Sequence, residues 1–341
     1  MDTAEEILAI PASEPECLFQ APDQVAILYH RLAMLWHPDR AGGRREVFEH
    51  LAALKKEAEL HIRQGRWQVP GLLELAGRKI RYFKTYPFEL GTVYLGNSVI
   101  AYVVEKDFAP LAHRAEVAIK GLTFANDRMA AEMQPRLPQL KAAFDTERGQ
   151  RVLVLGKPAG LIRLSDLIAH FGGKVDPRHV AWVMSDLLNA VCYLGAYRQI
   201  AHMGLSAETV FISPTKHVAA ILGGWFYTAA LDEPLVAIPE RTDQLLPAVA
   251  RNTERAIGSI DLELVRGIGR EMLGDLSGTR LAHDTGIPAP LRDWLRLPSG
   301  MNAIEEYKAW PETLENSFGS RRFTELPVKA SDLYGKDAQN G

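Results

Sequence analysis

The spacing of apolar residues changes twice along this chain of 341 residues, and the order of the changes limits the folds that it can adopt. Residues 23–62 carry apolar side chains at three- and four-residue steps, which predicts two amphipathic helices. Residues 79–155 instead contain short runs rich in Val, Ile, Tyr and Phe, and helical spacing returns after residue 157. A helical start, a strand-rich lobe and a helical lobe predict an α+β protein with a cleft where the two lobes meet.

The same patterns predict individual elements and boundaries. Strands are predicted at residues 79–86, 92–95, 98–106, 114–122 and 150–155, and a long buried helix at 178–198. We expect four regions: a helical region at 1–66, a small lobe at 72–156, a helical lobe at 157–325 and a polar, frayed tail at 326–341. Residues 65–71 should separate the first two regions, and residues 1–22, with three prolines, should form an irregular lead-in.

Charge and composition indicate which partners and which cellular compartment to expect. The formal net charge of −3 gives no basic face for nucleic acid, so no nucleic-acid partner is expected. The two cysteines, Cys17 and Cys192, lie far apart, which disfavours a disulfide framework and fits a reducing compartment. No run approaches about 18 consecutive apolar residues, and the first residues are acidic where a secretory signal is basic. We therefore expect a cytoplasmic protein without membrane contact.

A His-Pro-Asp tripeptide lies between the two helices predicted near the start of the chain. Pro38 fixes a bend, so its neighbours His37 and Asp39 should face solvent. The tripeptide, the flanking helices and their spacing resemble the core of a DnaJ-type J domain over residues 16–64. The resemblance implies that the loop docks on a DnaK-type chaperone and stimulates its ATP hydrolysis. The chaperone-binding residues that it implies are His37, Pro38, Asp39, Arg31 and Arg40.

The first helix of this hairpin departs from the J-domain pattern in its charge. The family usually carries a strongly basic face there, which meets an acidic chaperone surface. Residues 23–36 contain only His30 and Arg31 as basic groups, and Asp23 offsets them, so electrostatic steering should be weak. Two other interpretations stay open: a tripeptide that occurs by chance, and a hairpin of J-like shape that no longer binds the chaperone.

Motifs in the strand-rich lobe resemble those of protein kinases. Residues 117–120 read Val-Ala-Ile-Lys and close a predicted strand, like the V-A-I-K signature of the family. In that family the lysine pairs with nucleotide phosphates and with a glutamate of the next helix, which implies Lys120 and Glu132 as nucleotide-binding residues. Residues 151–158 resemble the last strand of the small lobe and the hinge that follows it.

Motifs in the helical lobe continue the kinase resemblance in the family's order. Residues 200–209, which include His202, resemble the catalytic loop H-R-D-L-K-P-E-N, and Gly223-Gly224 stands where the metal-binding D-F-G belongs. Asp261 is the candidate for a buried aspartate that braces the catalytic loop. The resemblance covers about residues 78–325 and implies a bilobal kinase-like fold.

The side chains that phosphoryl transfer needs are missing from these motifs. Gly204 replaces the carboxylate that positions the attacking hydroxyl, and Ser206 replaces the lysine that steadies the transferred phosphate. Thr209 replaces an asparagine ligand of magnesium, while Gly223 and Gly224 remove the metal-binding aspartate. No metal-ligand spacing of His or Cys occurs elsewhere. The sequence therefore predicts a protein that is not an active kinase.

Nucleotide binding and the overall role are left with alternatives. ATP is the only candidate cofactor, through Lys120 and Glu132, but a structural ion pair between these two residues is the simpler interpretation. We expect a non-catalytic adaptor that recruits or modulates a DnaK-type chaperone and binds another protein. The alternative is an atypical kinase or nucleotide-using transferase with relocated acids, for which Glu208 and Asp232 are candidates. Fusions of this kind resemble bacterial or bacteriophage proteins.

Overall fold

A computed structural model describes residues 3–40, 42–64, 67, 71–320 and 322–334. The chain divides into two compact units, Met1–Tyr82 and Phe83–Gly341. The linker predicted at residues 65–71 lies largely outside the described residues. Because the division follows Tyr82, residues 72–82 group with the first unit, whereas the sequence predicted that they begin the small lobe.

The described residues of the first unit form four helices and one hairpin of strands. They are α1 (Ala4–Leu8), α2 (Glu16–Phe19), α3 (Gln24–Leu35), α4 (Arg45–Arg63), β1 (Leu72–Leu75) and β2 (Arg78–Arg81). The two longest helices form the predicted hairpin, since Leu32 of α3 packs with Leu51 and Leu54 of α4 in one apolar core. Burial of these stripes, rather than helix propensity, stabilises such a pair.

The lead-in is more ordered than the sequence predicted. Its two short helices bury Ile7 and Phe19 in the same core as the hairpin. Thr3 caps α1, because its Oγ1 accepts a hydrogen bond from the Glu6 amide at 3.3 Å while Glu6 accepts from the Thr3 amide at 3.4 Å. The prediction of an irregular segment at residues 1–22 is therefore wrong for these two helices.

The small lobe of the second unit is a five-stranded antiparallel sheet with two helices. The strands are β3 (Lys84–Phe88), β4 (Gly91–Leu95), β5 (Val99–Val104), β6 (Gln139–Asp145) and β7 (Arg151–Gly156), and the helices are α5 (Ala109–Lys120) and α6 (Asp127–Met133). The spatial order is β3-β4-β5-β7-β6. The central strand β5 pairs with β4 on one side and β7 on the other, so its side chains are almost all buried.

The strand predicted at residues 114–122 is wrong, because these residues belong to α5 and the turn after it. Ala112, Ala115 and Ile119 are the buried residues of this helix, at three- and four-residue spacing. Pro110 lies in the first turn, where a missing amide hydrogen costs nothing. The prediction was wrong because Val117 and Ile119 are β-branched and suit a strand, whereas the helical spacing of the alanines indicates a helix.

The large lobe is mainly helical. Its helices are α7 (Leu164–His170), α8 (Pro177–Cys192), α9 (Glu240–Leu245), α10 (Ala248–Thr253), α11 (Gly258–Met272), α12 (Ala289–Arg296) and α13 (Ala303–Phe318). Its short strands are β8 (Ile162–Arg163), β9 (Ile200–Ala201), β10 (Val210–Ser213), β11 (Val218–Ile221) and β12 (Ala229–Ala230). The predicted hairpin is confirmed as β10 and β11, which pair in antiparallel register, and β12 pairs with β9.

One apolar helical stretch, Pro177–Tyr197, is long and apolar enough to cross a membrane by length and composition alone. More than half of it is buried inside the protein, where α8 packs against α11 and α13. It is the core helix of the large lobe, as the sequence predicted for residues 178–198.

The tail that was predicted to be polar and frayed is packed through residue 334. Leu326, Val328 and Ala330 are buried, and a last helix, α14 (Ala330–Tyr334), follows them. The Tyr334 hydroxyl donates to an Asp166 carboxylate oxygen at 2.6 Å, and its ring packs on Phe83 at 5.0 Å between centroids. The tail therefore contacts both lobes of the second unit. Residues 335–341 lie outside the described residues.

Candidate functional site

The His-Pro-Asp loop is held from within and presents its polar groups outward. The His37 ring packs edge-on against Phe48 of α4, with 5.2 Å between centroids, and its Nδ1 accepts from the Asp39 amide at 3.3 Å. The Arg40 amide donates to the His37 carbonyl at 3.0 Å. The His37 side chain is 43% exposed and that of Asp39 88% exposed. Both groups can therefore reach a partner without rearrangement of the loop.

Gly43 explains how the loop returns to α4. A Cβ built on Gly43 would lie 1.9 Å from the His37 carbonyl oxygen, which no side chain tolerates. The Gly43 amide also donates to the Arg40 carbonyl at 2.9 Å. The structure thus gathers His37, Pro38, Asp39 and Arg40 in one tight loop, while Arg31 lies on the exposed side of α3.

In the second unit, the loop at residues 202–209, which the sequence likened to the kinase catalytic loop, is buried and braced. One Asp261 carboxylate oxygen accepts from the His202 amide at 2.7 Å, and the other accepts from the Met203 amide at 2.8 Å. Burial raises the pKa of Asp261 to about 6 and lowers the pKa of His202 to about 3. The His202 ring packs edge-on against Trp225 at 4.7 Å. The predicted bracing by Asp261 is confirmed.

Gly204 and Gly224, two of the glycines in the predicted degenerate motifs, contact each other through their backbones. A Cβ on Gly204 would lie 2.4 Å from the Gly224 carbonyl oxygen, and a Cβ on Gly224 would lie 2.2 Å from the Gly204 carbonyl oxygen. Gly224 also has a φ of +80°, which side chains rarely adopt. A Cβ on Gly223 would lie 2.5 Å from the Tyr102 hydroxyl. No side chain, and so no carboxylate, fits at Gly204 or Gly224 without movement of the backbone, and one at Gly223 would displace the Tyr102 side chain.

Tyr102 is a functional-site residue that the sequence reasoning missed. It lies on β5 and is fully buried, and its hydroxyl donates to the Leu222 carbonyl at 3.2 Å. Burial raises the pKa of the phenol, so Tyr102 is neutral. Its ring joins Phe88 at 5.8 Å and Phe226 at 5.5 Å in an aromatic cluster. An uncharged ring thus occupies the cleft-facing side of the central strand.

Lys120 and Glu132 do not form the predicted pair. Lys120 lies at the exposed end of α5, where its Nζ donates to Glu116 at 2.6 Å. Glu132 accepts instead from the Asn189 side chain at 2.7 Å. Hydrogen bonds from Lys120 and Arg151 lower the pKa of Glu116. The predicted pair required Lys120 to end a strand that faces the cleft. Residues 114–120 instead belong to a helix, so the pair does not form.

The side chains of Ser206 and Thr209 stabilise the loop itself. Thr209 Oγ1 donates to the Gly204 carbonyl at 2.9 Å and accepts from the Ser206 amide at 2.9 Å. Ser206 Oγ accepts from the Glu208 amide at 3.2 Å, and the Thr209 carbonyl accepts from the Gly223 amide at 3.0 Å. The side chains of Ser206 and Thr209 thus satisfy backbone groups of a tight loop.

A cavity of about 370 Å³ remains between the two lobes. Its charged lining comprises two arginines and four glutamates, Arg163, Arg241, Glu89, Glu208, Glu240 and Glu271. Both arginines face carboxylates, at 2.7 Å between Arg241 and Glu271 and at 3.6 Å between Arg163 and Glu208. The lining therefore carries an excess of two negative charges.

The turn between β3 and β4 is attached to the large lobe across this cavity. Glu89 accepts from the Tyr227 hydroxyl at 2.8 Å and from the Glu240 amide at 3.0 Å. Of the two candidate acids of an atypical enzyme, Glu208 lines the cavity, whereas Asp232 is not among its lining residues. Within the described part of the chain, no group of three or more His, Cys, Asp or Glu could hold a metal ion.

Comparisons with known proteins bear on the fold alone. No family model and no curated protein matches the sequence. Among solved structures, that of vaccinia related kinase 3 matches with a TM-score of 0.51 and 14% sequence identity, over 73% of this chain and 92% of that chain. The protein therefore has a kinase-like fold, as the sequence predicted.

Proposed function

We propose that this protein is a non-catalytic pseudokinase scaffold that recruits or modulates a DnaK-type chaperone through its His-Pro-Asp loop. The observation that supports the absence of catalysis is the backbone contact between Gly204 and Gly224. Gly204 stands in the slot of the catalytic-loop carboxylate, and Gly224 is one of the two glycines in the D-F-G region; the two are packed so closely that neither can hold a side chain. The protein also has two free cysteines, Cys17 and Cys192, which suits the cytoplasm.

Loss of phosphoryl transfer follows from the chemistry of the reaction. The attacking hydroxyl needs a carboxylate to orient it, and loss of a general base alone lowers rates by about 10²–10⁴. Magnesium needs carboxylate ligands beside the phosphates. The polar side chains next to His202 are already engaged: Asp261 accepts from the His202 and Met203 amides, and Ser206 and Thr209 bind the loop backbone.

We also propose that the cleft does not bind ATP. Lys120 is not among the residues that line the cavity and pairs with Glu116, while the lining includes the neutral ring of Tyr102. The excess negative charge of the cavity lining would repel a triphosphate. Thermal unfolding with millimolar ATP, with and without magnesium or manganese, tests this proposal. We expect no rise in the unfolding temperature, and a saturable rise would contradict it.

The chaperone half rests on the exposed His37 and Asp39 at the end of a helical hairpin. The test is the rate of ATP hydrolysis by a purified DnaK-type chaperone with this protein and with its His37→Gln variant. We expect stimulation by the original protein and the basal rate with the variant. Equal rates, neither above the basal rate, would eliminate the chaperone half and leave a scaffold with other protein partners.

The alternative is an atypical nucleotide-using enzyme with relocated acids. Its one support is Glu208, which lines the cavity with a side chain that is 62% exposed. Asp232 has no such support. The thermal unfolding experiment separates the alternatives, because this enzyme must bind nucleotide and the scaffold must not.

A further inference from the structure

The cavity between the two lobes has a basic end and an aromatic, acidic end, and strand β3 relates the two. Tyr86 and Phe88 share one face of β3, because side chains alternate between faces, and they lie about 7 Å apart along it. The centre of the Tyr86 ring lies 4.0 Å from the guanidinium carbon of Arg163, which lines the cavity. Phe88 and the adjacent Glu89 line it as well. Groups of opposite character are therefore held several ångströms apart.

The basic end is the guanidinium of Arg163, whose side chain is only 8% exposed. Its Nε donates to the Glu208 carbonyl at 2.9 Å. Its Nη2 lies 3.6 Å from the Glu208 carboxylate, which is too long for a hydrogen bond, and that carboxylate is 62% exposed. Within the described residues neither terminal nitrogen of Arg163 has a hydrogen-bond acceptor. Buried N–H groups normally have one, and the planar fork of a guanidinium matches a carboxylate.

The other end combines aromatic rings with carboxylates. The rings of Phe88, Tyr102 and Phe226 lie against one another, with centroids 5.5–5.8 Å apart, and we call them the aromatic wall. Beside it, Glu89 and Glu240 accept their hydrogen bonds from uncharged donors, so these bonds leave their negative charges in place. Aromatic rings attract cations, and quaternary ammonium groups are bound in this way. This end of the cavity therefore suits an ammonium group.

We propose that the cavity binds a small zwitterion in which a short carbon chain joins a quaternary ammonium group to a carboxylate. The carboxylate accepts from the terminal nitrogens of Arg163 and displaces the exposed carboxylate of Glu208. The ammonium group lies against the aromatic wall beside Glu240. Arg241 and Glu271 also line the cavity, but they face each other at 2.7 Å and offset each other's charge.

The cavity is large enough for such a ligand. Its volume of about 370 Å³ lies at the lower end of the range of small-molecule sites, about 300–1,000 Å³. A zwitterion also suits the excess of negative charge in the lining better than a triphosphate does. The inference goes beyond the proposed function and does not depend on the chaperone contact, so each can fail without the other.

The experiment is calorimetric titration of the full chain with γ-trimethylammoniobutyrate. Two matched analogues each remove one charge: the carbon isostere, in which a tert-butyl group replaces the trimethylammonium group, and butyltrimethylammonium, which has no carboxylate. We expect saturable binding of the zwitterion, and binding of each analogue that is weaker by about tenfold or more. Because the analogues leave the protein unchanged, no folding defect can affect this comparison.

Three variants place the ligand in the cavity. Phe88→Leu should weaken binding of the zwitterion by about fivefold, because leucine is apolar but has no ring. Arg163→Lys should lower the affinity for the zwitterion to that for butyltrimethylammonium, since lysine lacks the planar fork. Glu240→Gln, at an exposed position, should weaken binding by about threefold. Glu233→Gln is its matched control, because Glu233 is exposed and outside the lining, and its affinity should match that of the original protein.

Each contrary result refutes the inference. The absence of saturable binding up to about 10 mM zwitterion would show that the cavity does not take this ligand. Equal affinity for the zwitterion and its carbon isostere would eliminate the ammonium contact. Equal affinity for the zwitterion and butyltrimethylammonium would eliminate the contact with Arg163. Binding that Phe88→Leu, Arg163→Lys and Glu240→Gln all leave unchanged would place the ligand elsewhere on the protein.

Discussion

The His-Pro-Asp loop and the loop at His202 both resemble motifs that act on ATP-dependent chemistry, but they are built in opposite ways. The first exposes an imidazole and a carboxylate on a loop held by its own backbone hydrogen bonds. The second buries His202 completely and packs two glycines backbone to backbone. An exposed loop keeps its chemistry available to a partner, whereas a loop without room for side chains can contribute only stability. This difference supports the proposal that the first unit binds a partner and that the loop at His202 has a structural role.

Restoring an acid at Gly204 tests this comparison with the largest expected effect. Gly204→Asp should lower the free energy of unfolding by at least about 3 kcal/mol, because the new Cβ overlaps the Gly224 carbonyl. It should not produce phosphoryl transfer. Gly258→Asp is the matched control, since that position begins α11 with nothing within 4 Å of an added Cβ. Chemical denaturation measures stability, and a stable, ATP-hydrolysing Gly204→Asp would refute the steric argument.

The buried Asp261 gives the second largest effect, as a dependence of stability on pH. Burial raises the pKa of Asp261 to about 6 from its usual 3.8, so the folded state holds the proton more tightly than the unfolded state. The contribution of Asp261 to the free energy of unfolding is fully present below pH about 4. It is lost as the pH rises to about 6, which lowers the free energy of unfolding by at most about 3 kcal/mol. Asp261→Asn should remove this decline, although it is less stable overall because an amide group faces a donor amide.

The measurement for Asp261 is the free energy of unfolding from pH 4 to pH 7 for both proteins. The exposed Asp107→Asn serves as control and should follow the original protein at every pH. Parallel curves for the original protein and Asp261→Asn would show that Asp261 does not carry this proton.

A smaller effect on stability is expected for Glu89, which joins the turn between β3 and β4 to the large lobe. Glu89→Gln weakens the hydrogen bonds from the Tyr227 hydroxyl and the Glu240 amide, so stability should fall by about 1 kcal/mol or less for this exposed residue. Hydrogen exchange of residues 88–91 should accelerate, because the turn is no longer attached to the large lobe. Glu147→Gln, in another exposed turn of the small lobe, should leave exchange at residues 88–91 unchanged. Unchanged exchange in Glu89→Gln would show that the turn is held by other contacts.

How much could be predicted from the sequence depended on how local each feature is. The brace at Asp261 could be predicted because it follows from short motifs in a fixed order, and its two hydrogen bonds confirm it. The helix at residues 109–120 was missed because Val117 and Ile119 suit strands, and only the buried spacing of Ala112, Ala115 and Ile119 shows the helix. Because residues 117–120 match the Val-Ala-Ile-Lys signature, a strand was predicted there in place of the helix.

Other features depend on contacts between distant parts of the chain, and no local pattern contains them. The approach of Gly204 to Gly224 joins two loops that are twenty residues apart, and Tyr102 reaches Leu222 from another lobe. The packed tail is a similar case, since Tyr334 donates to Asp166 across a sequence separation of 168 residues. The sequence shows that Gly204 and Gly224 carry no side chain, but only the structure shows that an added Cβ would overlap the backbone there.

The smallest expected effect on stability accompanies the most direct test of function. His37→Gln should change the free energy of unfolding by no more than about 0.5 kcal/mol, because the side chain is half exposed on a loop that its backbone holds. The decisive measurement is ATP hydrolysis by the DnaK-type chaperone with the original protein and with this folded variant. The account predicts stimulation by the first and the basal rate with the second. Equal stimulation by both proteins would contradict it, because the exposed loop would then not be the contact.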